Sequence, residues 1–453
     1  MTSNTLPDAA TTTFSARLTG TVIRRGDAGY DDARKVWNGM VDRSPALIAR
    51  CSSTADVVAA VNFAREHGLL VAVRGGGHNA GGLGLCDDGL VIDLSAMRGV
   101  SVDTARRLAR VQGGARWREF DAATHAHGLA TTGGLISTTG VGGLTLGGGL
   151  GWLMRSYGLA ADNVVGVEIV TADGQVRRAD ATENPDLFWG VRGGGGNFGV
   201  VTSFEFKLHP VSTVYGGMLV YPAARAPEVL RHYRDLAASA ADELTVFAAL
   251  MTSPDGIPIV AVLSCYNGRA AKGEAAIRPL RDLGPVADQV TEMPYPAIQS
   301  MLDDGFPPGL QVYWRSDFLS GLPDEAIDTL CDRFAAVTSP LSALLIEQFG
   351  GAVSRIPADE TPFAHRGALF NFAVIARWTD PSTASTHIDW ARRSSEAAQP
   401  FASGGVYVNY LGAEGTDRIR AAYGSAKYER LVAVKRKYDP TNLFRVNQNI
   451  RPD

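Results

Sequence analysis

Apolar residues at Val57, Val58, Val61 and Ala64 recur at the spacing of one helix face, with Ser53-Thr54 placed to cap the start and Gly68 to stop the end. The run that follows, LLVAV, has no polar interruption and reads as a buried strand entering the turn RGGGH. LVIDLS and LARVQGG give two further strands, and a helix is expected from Ala115 to about His127. VVGVEIVTADGQVRRA reads as a hairpin turning at Asp173-Gly174, and VVTSFEFKL alternates as a strand does. The pattern predicts an α+β first lobe.

From Ser212 to about Pro400 the rhythm changes. Helix-period stretches (APEVLRHYRDLAASAADEL, PDEAIDTLCDRFAAV) alternate with apolar strands (TVFAALMT, IPIVAVLSCY, ALLIEQFGG, ALFNFAVIARW). An antiparallel sheet covered by helices is the expected second lobe. The tail resumes turn chemistry and aromatic content, so it is expected to return to the first lobe. The expected boundaries are 1–211, 212–400 and 401–453.

Composition narrows the function classes. The 453 residues are 45% hydrophobic and 20% charged, with Lys+Arg 43 against Asp+Glu 47 and no long block of like charge. That balance argues against nucleic acid or an anionic membrane as the main partner. No run of 18 apolar residues occurs, and MTSNTLPDAATTTFSARLTG lacks a basic segment followed by an apolar one, so the cytoplasm is the expected location. Cys51, Cys86, Cys265 and Cys331 form no CxxC pair and read as reduced thiols. His125-Ala-His127 is the nearest approach to a metal pair, and no metal site is expected.

The 51 glycines carry more information, because 21 of them gather in three clusters: within VAVRGGGHNAGG (Val71–Gly82), within Thr131–Asn163 and within Glu183–Val211. Gly194, Gly196 and Gly199 satisfy GxGxxG, but a strand pattern follows where a dinucleotide-binding turn would open a helix. No GxxxxGK[ST] occurs. Glycine turns beside strands can present many backbone N–H groups to a diphosphate without lysine. His78, closing the first turn, would meet one end of such a ligand with a nucleophilic ring nitrogen.

In order along the chain, RGGGHNAGG, LVIDLS, TTGVGGLTLGGGLGWLMRSYGLAADNVV, NPDLFWGVRGGGGNFGVVTSFEF and a tail of the form YxNY…RLxxVKxxYDPxNxFRxxQxI resemble the FAD-linked oxidases of the berberine bridge enzyme group. These belong to the vanillyl-alcohol oxidase superfamily, and the likeness runs from about Ala46 to Ile450. It implies a PCMH-type FAD-binding lobe and a substrate lobe, with the isoalloxazine ring at their junction. It also implies a covalent bond from His78 to the flavin 8α-methyl carbon. The cofactor contacts it implies are Arg74, Gly75, Gly76, Gly77, Asn79, Gly133, Gly134, Thr138, Gly140, Gly142, Gly143, Gly148, Gly149, Asn163, Gly199, Val201, Tyr407 and Asn409. Ile136 stands where many relatives carry a second, cysteinyl link, so a single covalent bond is expected, and Cys86 reads as a small buried residue. Leu144 replaces a usual histidine. Thr139 and Leu144 match the positions that shape an oxygen pocket in a bacterial branch, some of whose members work through a flavin-N5-oxide.

Oxidation of an alcohol or amine requires a base beside the flavin. The resemblance points to Tyr410, in YVNY. The residues point to Glu347, in IEQFGG, which on a strand shares a face with Leu345 and Phe349, odd company for a carboxylate unless that face lines a pocket; the competing reading is an exposed glutamate on an edge strand. Asn371 occupies the place of the glutamate base of plant alkaloid-type relatives, which argues against plant-type cyclisation. The expected activity is hydride removal from a small secondary-metabolite alcohol or amine, with electrons passed to O2 to give H2O2, by a monomer or homodimer. The alternatives are an N5-oxide oxygenase, a carbohydrate oxidase, and a flavin-binding protein without turnover.

Overall fold

In the computed structural model residues 8–412 and 414–453 are described; residues 1–7, part of the segment read for a leader, lie outside the described residues. The first sheet is built from β1 (Thr21–Arg24), β2 (Leu47–Arg50), β3 (Val71–Arg74) and β4 (Leu90–Asp93) in the order β1-β2-β4-β3, with β2, β4 and β3 parallel. Between β2 and β3 runs α1 (Thr54–Glu66), whose first turn is capped by Ser53 accepting from the Asp56 N–H. Val57, Val61 and Ala64 of α1 are fully buried, as the spacing predicts.

The second sheet holds β5 (Val100–Asp103), β6 (Leu108–Gln112), β7 (Val164–Val170), β8 (Val176–Asp180) and β9 (Val200–Lys207) in the antiparallel order β5-β6-β9-β7-β8. The helix expected over 115–127 is shorter, Trp117–His125 (α2), because the Trp117 and Arg118 N–H groups bond instead to the Thr139 and Ser137 carbonyls. The strand β9 directly after Gly199 confirms that no helix opens there.

The third sheet is eight-stranded and antiparallel. Its long strands, β10 (Thr213–Pro222), β11 (Leu244–Thr252), β12 (Pro258–Tyr266), β13 (Gln311–Leu319), β14 (Ala343–Gln348) and β15 (Phe370–Trp378), lie in the order β10-β12-β11-β14-β15-β13. Helices Ala226–Ser239, Ala270–Arg281, Asp324–Ala335 and Ala384–Ala398 cover one face, where Leu250, Leu344 and Val374 belong to their core. The opposite face carries Phe247, Leu345 and Phe318 and packs on Trp152, Leu153 and Tyr407. In the tail, Val406, Leu411, Leu431 and Ile450 share a core with Trp117, Phe120, Phe204 and Phe206 of the first lobe. Among the described residues no helix is long and apolar enough to cross a membrane, no group of His, Cys, Asp or Glu could hold a metal, and all four cysteines are free, with Cys86 buried.

Candidate active site

Two glycine loops meet backbone to backbone. A Cβ on Gly76 would stand 2.3 Å from the Gly140 nitrogen, and one on Gly140 would stand 2.4 Å from the Gly76 nitrogen. No side chain fits at either position. From Gly75 to Gly81 no backbone N–H donates to any described residue, which leaves a run of free donors on the first loop. Gly143 of the second cluster and Gly196 of the third face open space. The buried Thr145 Oγ1 and Asn447 Oδ1, the latter beside Gly196, lack partners, while Asn447 Nδ2 donates to the Gly196 carbonyl.

His78 ends the free run. Thr138 Oγ1 lies 3.0 Å from its Nε2 and Thr139 Oγ1 lies 3.5 Å from its Nδ1. Burial first, then the nearby Arg116 guanidinium, pushes its pKa down to about 4, so the imidazole is neutral at physiological pH and keeps a lone pair. From the ring an aromatic path crosses to the other lobe. Trp37 stacks on His78 with centroids 5.3 Å apart, Trp314 meets Trp37 edge-on at 6.2 Å, and Tyr410 meets Trp314 edge-on at 4.6 Å. The Trp37 backbone N–H donates to the Gly77 carbonyl and its indole N–H to the Phe306 carbonyl, which ties the first glycine turn to the second lobe.

Glu347 lies on β14 in the interior of the sheet, paired with Phe247 on β11 and Asn371 on β15, and is fully buried. The reading as an exposed glutamate on an edge strand is therefore wrong. Leu345 and, one residue past the strand's end, Phe349 both belong to the apolar cluster on Glu347's side of the sheet, with Phe349 edge-on to Phe318 at 5.3 Å. Tyr410, closing the 3-10 turn Val408–Tyr410, donates its hydroxyl to Glu347 Oε1 at 2.9 Å, and Asn371 Nδ2 donates to Oε2 at 2.5 Å. Burial pushes Glu347 up to about 7 against the downward pull of those two bonds. Burial, and then the Glu347 charge, pushes Tyr410 well above 10.

Residues 45–180 match the FAD binding domain family and residues 406–451 the berberine and berberine-like family. A FAD-linked oxidoreductase of Dictyostelium discoideum is 34% identical over 443 residues, covering 97% of this chain and 96% of its own. The chain belongs to the berberine bridge enzyme-like FAD-linked oxidoreductases. The (R)-6-hydroxynicotine oxidase of Paenarthrobacter nicotinovorans is 33% identical over 450 residues, 96% of this chain and 97% of its own. The crystal structure of 6-hydroxy-D-nicotine oxidase from Arthrobacter nicotinovorans superposes with TM-score 0.90 at 31% identity, over 96% of this chain and 98% of that one. The fold is thus that of PCMH-type FAD-binding proteins.

The residues of this FAD-linked oxidoreductase fit a long, polar cofactor: free N–H groups, open glycines and orphaned buried oxygens line the three loops. Several of the residues expected to touch the cofactor are also held by partners within the protein. The Arg74 guanidinium is committed to Asp93 at 2.6 Å and to the Ala33 and Lys35 carbonyls. Asn79 Oδ1 accepts from the Leu83 N–H, and Asn163 is held by the Tyr157 and Leu159 carbonyls and by His209. Tyr407 Oη accepts from the Gly149 and Leu150 N–H groups and from Asn409 Nδ2, which also donates to the Leu144 carbonyl. Gly133 packs on Trp117 and Gln299, Gly134 on Leu144, Gly142 on Phe204 and Gly113, Gly148 on Phe363, Gly149 on Ala160 and Gly199 on Val170. Val201 is buried with its carbonyl against Gly113, and Gly77 lies beside Val36 and the Arg74 stem.

Trp37 and Trp314 escaped the sequence reading. Neither stands in a glycine cluster or in a motif, and only the three-dimensional path between His78 and Tyr410 singles them out.

Proposed function

We propose that this oxidoreductase binds FAD covalently through His78 and oxidises a small alcohol or amine with an apolar body, with Glu347 taking the substrate proton and O2 taking the electrons as H2O2. The observation that carries the proposal is Glu347 itself, a fully buried carboxylate on the sheet face between the lobes, held by two donors and tuned to about 7. A base acts best when its pKa lies near the working pH. The bound flavin supplies a two-electron acceptor and reacts with O2.

The chain's own groups divide the remaining work. The N–H run from Gly75 to Gly81, with the Gly143 and Gly196 openings, suits the diphosphate and its flanking sugars. Neutral His78 suits nucleophilic attack, with the Thr138 and Thr139 hydroxyls fixing its ring. Tyr410 is a positioning donor to Glu347 rather than the base, because its phenol stays protonated far above neutral pH. Asn371 steadies the other carboxylate oxygen. The lobes divide, on this reading, into 1–211, 212–400 and a tail, 401–453, that closes the cofactor cradle.

Leu135, Met251, Met301, Leu302 and Leu345 are only partly buried where they border the interlobe core, which favours an apolar substrate body over a sugar. The oxygenase reading depends on Thr139 and Leu144. Thr139 Oγ1 lies against His78, and Leu144 engages Asn409 through its carbonyl, so oxidase chemistry has the better support.

Acid precipitation of the purified protein is expected to give a yellow pellet and a flavin peptide containing His78 and none containing Cys86. Anaerobic addition of a substrate amine or alcohol is expected to bleach the flavin, with colour and one equivalent of H2O2 returning in air. Flavin released into the supernatant would remove the covalent link, and a flavin bleached by no amine or alcohol would remove the oxidase.

A further inference from the structure

On the sheet face that carries Glu347, Asn371 Oδ1 and Ser316 Oγ have no partner among the described residues, and neither has the Trp314 indole nitrogen. Both residues are buried, Asn371 fully and Ser316 to 1% exposure. Register places them together. Phe247, Glu347, Asn371 and Phe318 stand in one row across four strands, and Ala249, Leu345, Ala373 and Ser316 stand in the next. Alternation then puts all of them on the face that looks toward the first lobe. Diagonal neighbours on such a face are about 7–8 Å apart, so Ser316 and Asn371 can be bridged by one small group.

Small side chains adjoin there: Ala373 and Ser316 are neighbours across β15 and β13 and form a dip, which Leu345 separates from Ala249, with Ile375 beside it and Phe318 and Trp314 on either side of Ser316 along β13. Although buried, Ala343, Ala373 and Ile375 belong to none of the apolar cores. A buried polar atom without a partner is costly, and native proteins keep few of them.

The role of Asn371 is fixed. Asn371 Nδ2 is held by Glu347, so its free oxygen can only accept. The Ser316 hydroxyl can give or take. Charge is absent from the dip: Arg315 and Asp317 alternate to the other face, where Arg315 pairs with Glu414 and Asp317 with Arg418. Both Glu347 oxygens are already engaged by Tyr410 and Asn371.

We propose that Asn371 and Ser316 form a specificity subsite that reads a neutral group carrying a hydrogen-bond donor beside an acceptor, such as a carboxamide, a lactam or a hydroxylated heteroaromatic ring. Docked there, that group holds the substrate against the sheet face that carries Glu347. The proposal rests on the oxidase reading for its role in turnover, but binding tests it separately.

The probes are benzamide, which carries N–H donors, and N,N-dimethylbenzamide, in which methyl groups replace both; substitution of Ser316 and Asn371 separates the lost donor from the added bulk. Titration of the flavin-loaded protein is followed by the visible flavin band and by calorimetry. Benzamide is expected to bind about tenfold or more tightly than its dimethyl form, a gap of at least about 1.4 kcal/mol. Ser316→Ala and Asn371→Leu are each expected to shrink that gap toward twofold, with the flavin spectrum and melting temperature as checks on folding. Equal affinity for the two probes in the unaltered protein, binding of neither, or a preference that survives both substitutions overturns the subsite. Probe discrimination in a protein that no amine or alcohol bleaches would leave the subsite standing and remove the oxidase. Bleaching without discrimination would do the reverse.

Discussion

The Tyr410 hydroxyl points its hydrogen at Glu347, 2.9 Å from Oε1, and both side chains are held in the seam between the lobes. The direction of that bond assigns the roles. A buried phenol whose proton is shared with a carboxylate is a poor base, whereas a buried carboxylate held by two donors at about 7 is a good one.

Replacing Tyr410 with Phe removes one of the two bonds that hold Glu347 down. A hydrogen bond to a charged group is worth about 1.5–3 kcal/mol, so the Glu347 pKa should rise by about one unit or more. The pH limb of anaerobic flavin reduction should move to higher pH, with the plateau rate falling less than about a hundredfold. A plateau rate lower by about a hundredfold or more, with no shift of the limb, would return Tyr410 to the role of base.

The contact between Gly76 and Gly140 leaves no room for a methyl group. Gly76→Ala should force the two loops apart and leave the protein largely without flavin, read as the ratio of visible to ultraviolet absorbance. Full flavin content would show that the two loops are free to separate.

Asp121 on α2 is fully buried in the first lobe and accepts from Gln299 Nε2 of the second at 3.1 Å, while Asp121 Oδ1 and Gln299 Oε1 have no heavy-atom donor. Burial pushes its pKa from 3.8 up to about 7. A protonated Asp121 would supply the missing donor for an acid–amide pair. Because the folded value is raised, its stabilising contribution is complete below about 4 and is lost as the pH climbs through about 7. Measured against the parent, Asp121→Asn should therefore gain about 2–4 °C in melting temperature between pH 5 and pH 9. An unchanged difference from the parent across that interval would show that Asp121 does not titrate in this range.

Asp162 and Arg366 form a buried bridge of 2.6 Å, with side chains 3% and 4% exposed. Removing one partner leaves the other charge uncompensated, so Asp162→Ala should cost about 3–5 kcal/mol in urea unfolding. A cost below about 1 kcal/mol would mean that water reaches Arg366.

Much of this was legible in the chain because periodicity and turn chemistry are local. Val57, Val61 and Ala64 fix the buried face of α1, Asp173-Gly174 fixes a hairpin, and the strand pattern after Gly199 excludes a dinucleotide-binding turn. The family likewise follows from the order of the glycine clusters. The strand register was not legible, because nothing local records that Glu347 pairs with Asn371 in the sheet interior and not at an edge. Neither were side-chain commitments across long separations. Arg74 and Asn163 look available in the sequence, and only the fold shows them engaged by Asp93 and His209.

The base assignment is tested most directly by anaerobic rapid mixing of a substrate amine or alcohol with the flavin-loaded protein, followed across pH in the unaltered chain and in Glu347→Gln. The account predicts that the reduction rate rises with pH through an apparent pKa of about 7 and levels above it. In Glu347→Gln the rate should fall by about 10²-fold or more and lose that limb. A variant that keeps both the rate and the limb would contradict the assignment of Glu347 as the base.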